Sequence, residues 1–99
     1  MLAPATAYFQ SALGALWLRK GEPARAAEHL EAALAADPSD VTARVNRGEA
    51  AMQLGDREAA RRHLLAALEL GPRPSQESPS PALVRARALL TQLGAEARP

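Results

Sequence analysis

Gly14, Gly21, Ala26, Leu30, Ala33 and Pro38 return 34 positions later as Gly48, Gly55, Ala60, Leu64, Ala67 and Pro72. The interval is too long for one ordinary helix and suits a unit of two helices joined by a short turn. Units of this kind bury their apolar faces by stacking on their neighbours. The echo therefore predicts an all-α chain before any residue is considered for chemistry.

The turns can be read from local signals. A first helix is expected from a Thr6 N-cap to about Lys20, with Phe9, Leu13, Leu16 and Trp17 recurring at helical spacing, and Gly21 ends it. Pro23 suits the first turn of a second helix, where a missing N–H costs nothing, and Ala26, Ala27, Leu30, Ala33 and Leu34 form its buried stripe. That helix should stop near Ala36, before Asp37 and Pro38. Asp40 then caps a third helix of about 41–54, and Asp56 caps a fourth of about 57–70, ended by Gly71 and Pro72. Within each pair Gly14 or Gly48 on one helix, and Ala26 or Ala60 on the other, allow close approach.

Residues 73–80, RPSQESPS, read as a loop, being polar and interrupted by proline. Ser80 and Pro81 then start a fifth helix of about 81–93, closed by Gly94. Its ending, Gln92-Leu93-Gly94, repeats Gln53-Leu54-Gly55 at an interval of 39 rather than 34, an insertion of five residues. The fifth helix thus takes the place of the first helix of a third unit and caps the exposed face of the second. We expect a complete small protein, because Met1 lies close to the first helix and stacked units need caps. The alternative is a piece of a longer array, since GAEARP looks like the start of another second helix.

The recurring Gly, Gly, Ala, aliphatic, Ala, Pro series resembles the tetratricopeptide repeat family over about residues 7–72, with partial resemblance through Gly94. The resemblance implies a single domain over residues 1–99: an α–α superhelix of five helices, a right-handed solenoid. Repeat one would cover about 7–40, repeat two about 41–74, followed by the 73–80 loop and the capping helix. Departures lie where the family often has large residues. Gln10 and Arg44 stand at the usual Trp position, Arg47 at a usual Leu, and Ala51 at the usual Tyr, which makes the second pair's core thin. Trp17 holds that last position in the first repeat and is expected to be a core aromatic between helices.

In this family the first helix of each pair lines a concave surface that binds an extended peptide or a helix. By alignment the lining would be Tyr8, Ser11, Ala12, Ala15 and Arg19 from repeat one, and Thr42, Val45, Asn46, Glu49 and Gln53 from repeat two. Val84, Arg85, Ala88 and Gln92 would come from the fifth helix. Asn46, Arg85 and Tyr8 could fix a backbone or carboxylate group. Some members clamp a C-terminal carboxylate through five Lys, Asn and Arg residues. Here only Asn46 and Arg85 match, Ser11, Ala15 and Pro81 standing at the other three positions, so a carboxylate clamp is not expected.

Composition narrows the remaining options. Twelve basic and eleven acidic residues leave a net charge of +1, giving no field that argues for nucleic acid. The balance is uneven: residues 1–40 carry three basic and five acidic groups, residues 41–99 nine and six. Arg57, Arg61 and Arg62, with Glu58 paired to Arg62 at helical spacing, read as a solvated outer face. Cysteine is absent, which removes disulfides, thiolate metal sites and cysteine nucleophiles. The Ala, Leu and Arg bias with a single Lys suits a GC-rich bacterial coding sequence. The first eighteen residues are uncharged but lack a basic leader and contain Pro4, Thr6, Gln10 and Ser11, so a packed helix is expected rather than a targeting or membrane segment. A cytoplasmic location follows as the default.

No glycine-rich phosphate loop or metal-spaced cluster occurs, and His29 and His63 are repeat equivalents whose stacking distance of about 10 Å is too long to share a metal. The expectation is a non-catalytic module without a cofactor that binds a protein or peptide partner in its groove. Two further readings are a structural module that self-associates through exposed helix faces and a small secretion-type chaperone.

Overall fold

A computed structural model describes residues 4–71 and 80–97. They form five helices: α1 Pro4–Arg19, α2 Pro23–Ala36, α3 Val41–Gln53, α4 Arg57–Leu70 and α5 Pro81–Ala97. The expected loop falls outside the described residues except for Ser80.

The two intrapair turns are built alike. Gly21 and Gly55 both adopt positive φ, +77° and +83°, a conformation that costs glycine little and other residues more. The Glu22 N–H donates to the Trp17 carbonyl and the Asp56 N–H to the Ala51 carbonyl, each at 2.9 Å. Gly21 N–H reaches Leu18 O at 3.1 Å and Gly55 N–H reaches Met52 O at 3.0 Å. These paired bonds satisfy the last carbonyls of α1 and α3 in the Schellman arrangement. Asp56 Oδ1 then accepts from Ala59 N, as Asp40 Oδ1 accepts from Ala43 N, both at 3.0 Å. Glu22 makes no side-chain cap, and Pro23 at the head of α2 removes a donor that would need one. Between the pairs, Asp37 Oδ1 accepts from both the N–H and the hydroxyl of Ser39, turning the chain around Pro38.

Packing follows the repeat. α1 pairs with α2 and α3 with α4; α3 then rests on α2 and touches α1, while α5 rests on α4 and touches α3. Helix α5 therefore stands in the position that α3 occupies one unit earlier, and the architecture is an all-α helical repeat solenoid. Leu18, Ala26, Leu30, Ala33, Leu34, Ala43 and Ala50 form one core; Val45, Ala51, Ala59, Ala60, Leu64, Ala67, Ala86 and Leu93 form the next. A Cβ on Gly14 would lie 2.4 Å from Leu30 Cγ, and one on Gly48 2.8 Å from Leu64 Cγ. Missing side chains at these places let the two helices of each pair close together.

Several boundaries and faces differ from expectation. Helix α1 begins at Pro4 rather than after Thr6, since proline is well tolerated in a first turn. Gly94 does not end α5, which runs on to Ala97; the residues after it are good helix formers, and glycine inside a helix costs only about 1 kcal/mol. Gly71, with φ −141°, ends α4 in extended rather than left-handed backbone. Of the α1 stripe, Phe9, Leu13 and Leu16 are 63%, 39% and 45% exposed, because α2 covers the opposite side, where Ala7, Gly14 and Leu18 lie. Trp17 packs at the edge of the first core instead of between the helices, with Arg25 Cζ 4.8 Å and Lys20 Nζ 5.8 Å from its ring centroid.

Arg57 is partly buried against α5, its Nη2 donating to Leu93 O at 2.8 Å, while Glu58 and Arg62 are exposed and form no ion pair among the described residues. Gln10, a polar residue at a position where the family often has Trp, faces a histidine across the first pair. Gln10 Oε1 lies 2.7 Å from His29 Nδ1. Their repeat equivalents are Arg44 and His63, and there burial, followed by the charges of Arg47, Arg44 and Arg62 against the opposing Glu31, lowers the His63 pKa below its ordinary value of 6.5.

Candidate functional site

The first helices of the units, α1, α3 and α5, present a row of hollows. One lies between α1 and α3, lined by Tyr8, Ser11, Ala12, Ala15, Asp40, Thr42 and Asn46. A second, bounded by Ala15, Leu18, Arg19, Thr42, Asn46, Glu49 and Arg85, continues toward α5. Two more separate α3 from α5. The first holds Thr42, Val45, Asn46 and Arg85 with Ser80, Pro81 and Ala82; the second holds Glu49, Met52, Gln53, Arg57, Arg85, Leu89, Gln92 and Leu93. Shared residues make the row continuous: Ala15 and Asn46 join the first two hollows, and Arg85 joins the last three.

This row brings together Tyr8, Ser11, Ala12, Ala15, Arg19, Thr42, Asn46, Glu49, Gln53, Arg85 and Gln92 from the aligned set. Val45 is a correction in kind: at 1% exposure it belongs to the second core and forms floor, since its side chain turns toward α4 and α5. Val84 and Ala88 are exposed on α5 but border none of these hollows. Asp40, Met52, Arg57 and Leu89 line the row although repeat alignment does not point to them. Met52 and Leu89 become neighbours because α5 packs across α3, as Leu18 of α1 and Ala50 of α3 share the first core one unit earlier.

One ion pair spans the row, beside the charged side chains of Arg19, Asp40 and Arg57. Glu49 Oε1 accepts from Arg85 Nε at 2.8 Å and from Nη2 as well, while Gln53 Nε2 reaches the other carboxylate oxygen at 3.4 Å. The Glu49 side chain is 18% exposed and that of Arg85 55%. The guanidinium gives donors from two of its nitrogens to Glu49 and keeps the others toward solvent, while the adjacent carboxylate offsets its charge, which weighs further against a carboxylate clamp. Asn46, with both donor and acceptor atoms in its amide, sits where three of the hollows meet. No helix among the described residues is long and apolar enough to cross a membrane. Among those residues no group of three or more His, Asp or Glu side chains is placed to hold a metal ion.

No curated protein matches the chain in sequence. The tetratricopeptide repeat family model matches residues 12–76, from within α1 through α4 and over more than half of the chain. With the repeat register, the paired Schellman turns and the stacking of α1 through α5, that match establishes that the chain belongs to the tetratricopeptide repeat family.

Proposed function

We propose that the chain is a non-catalytic interaction module that seats a peptide or helix of a partner protein in the groove formed by α1, α3 and α5. Tetratricopeptide repeats generally mediate protein–protein interaction, and the family is typically a scaffold without catalysis. The observation that carries the reading is the continuous row of hollows lined by Tyr8, Ser11, Ala15, Asn46 and Glu49. Small side chains there leave room for a backbone, and Asn46 can donate and accept on either side of a peptide unit. The Glu49–Arg85 pair sets the register by offering one carboxylate and one guanidinium to polar groups of the ligand.

A peptide selected from a displayed library on the intact chain tests this. Binding should be lost in the combined Asn46→Asp, Glu49→Lys, Arg85→Glu variant and kept in an Arg61→Glu variant on the outer face of α4. Selected peptides that bind both variants alike would refute the groove.

A further inference from the structure

Three helices share one register. Phe9, Leu13 and Leu16 of α1 occupy the places of Ala43, Arg47 and Ala50 in α3, and of Ala82, Ala86 and Leu89 in α5. In α3 that face is covered by α2: Ala43 and Ala50 lie in the first core, and Arg47 Nε bonds Glu31 Oε1 at 2.7 Å. In α5 it is covered by α4: Ala86 lies in the second core, with Ala82 and Leu89 packed against it. On α1 no described helix covers it, and its three large apolar side chains are exposed. The fold thus uses this face to receive a helix on α3 and on α5, and on α1 no described helix takes that place.

The chemistry of the open face narrows the occupant. A helix like α2 would bring the carboxylate of a Glu31 equivalent opposite Leu13, where no arginine awaits it. The fitting helix is uncharged along its contact face and offers a small residue opposite Leu13. Helix α1 itself meets both conditions. Its residues from Pro4 to Leu18 include no charged side chain. In an antiparallel pairing of two α1 helices Phe9 faces Leu16 of the other copy, and Leu13 faces Ala12. The steps from Phe9 to Leu13 and Leu16 are four and three residues. That spacing keeps an apolar seam directed at a partner helix along its length.

We propose that two copies of the chain associate through this face of α1, antiparallel and about a two-fold axis near Ala12 and Leu13. Such a contact is isologous and closes at two copies. Tyr8, Ser11 and Ala15 are turned toward α3, so the dimer borders the groove of each copy at Ala12 and leaves the hollows between α3 and α5 accessible. The dimer does not depend on the groove binding a partner.

Sedimentation equilibrium of the intact chain from about 1 μM to 1 mM, the range in which a small apolar seam associates, tests it. The apparent mass should rise with concentration from one chain toward two and stop there. Leu13→Arg and Leu16→Glu should each weaken association at least about ten-fold. Glu49→Lys in the groove should leave it unchanged. Because the chain has no cysteine, Ala12→Cys gives a second readout that does not depend on removing an apolar side chain. Under mild oxidation it should cross-link to itself, and Ala24→Cys on α2 should not. Circular dichroism verifies that each variant keeps its helices. A single-chain mass at every concentration overturns the proposal, as does a dimer indifferent to both Leu13→Arg and Leu16→Glu, or one disrupted by Glu49→Lys.

Discussion

Glu49 of α3 accepts hydrogen bonds from two nitrogens of Arg85 on α5, joining the second unit to the capping helix across the groove. The carboxylate is mostly covered while the guanidinium is more than half exposed, so solvent screens the pair from one side. A double-mutant cycle of Glu49→Gln and Arg85→Gln should give a coupling energy of about 0.5–1 kcal/mol that shrinks in high salt. A coupling of several kcal/mol would mean the pair is insulated from water, contrary to its exposure.

Two glycines inside helices should respond oppositely to alanine. At Gly14 the added methyl would sit 2.4 Å from Leu30 Cγ, and Leu30 is fully buried with nowhere to turn. Overpacking of about 1–3 kcal/mol should outweigh the roughly 1 kcal/mol that alanine contributes to the helix, giving a net loss for Gly14→Ala. At Gly94 nothing lies within 4 Å of the place a methyl would take on the α5 backbone, so Gly94→Ala should raise stability by up to about 1 kcal/mol. Chemical denaturation of both variants measures the contrast; a stabilised Gly14→Ala would show that the first pair is looser than described.

The caps at the heads of α3 and α4 should carry similar weight. Asp40 and Asp56 each accept one backbone N–H at 3.0 Å, so Asp40→Ala and Asp56→Ala should each cost about 1 kcal/mol, with asparagine restoring most of it. Thermal unfolding distinguishes this from a charge effect, since an asparagine variant as unstable as alanine would point to charge alone.

Protonation of His63 provides a pH test. Burial and the neighbouring Arg47 and Arg44 lower its pKa in the folded chain below the ordinary 6.5, so the fold favours the neutral ring. The resulting stability is fully present above pH about 6.5 and is lost as the pH falls through the lowered folded-state value. Denaturation midpoints between pH about 7.5 and about 5.5 should therefore decline in the native chain and decline less steeply in His63→Gln. Parallel slopes would remove His63 as the cause.

Much of this architecture is legible in the chain because its punctuation is local. Gly21, Pro23, Asp40, Gly55 and Asp56 act within a turn of themselves, and the observed ends of α2 and α4 and the start of α3 coincide with local signals of this kind. Gly94 departs from that rule because glycine permits a left-handed cap without imposing one, and Ala95 and Glu96 instead continue α5. The stripe Phe9, Leu13, Leu16 marks an apolar face without marking what covers it, since periodicity records a face and not its neighbour. The same limit applies to the groove. Positions on one helix, such as Ser11 and Asn46, follow from repeat alignment, whereas the meeting of Met52 with Leu89 depends on how α5 lies on α3.

The most direct test of the groove is a chemical-shift titration of the isotopically labelled chain with a library-selected peptide. The largest perturbations should fall on Tyr8, Ser11, Ala15, Asn46, Glu49 and Arg85, while Arg61 and Leu65 on the outside of α4 stay unmoved. Perturbations confined to the outer face of α4, or to Phe9, Leu13 and Leu16, with the groove residues silent, would contradict a binding groove on α1, α3 and α5.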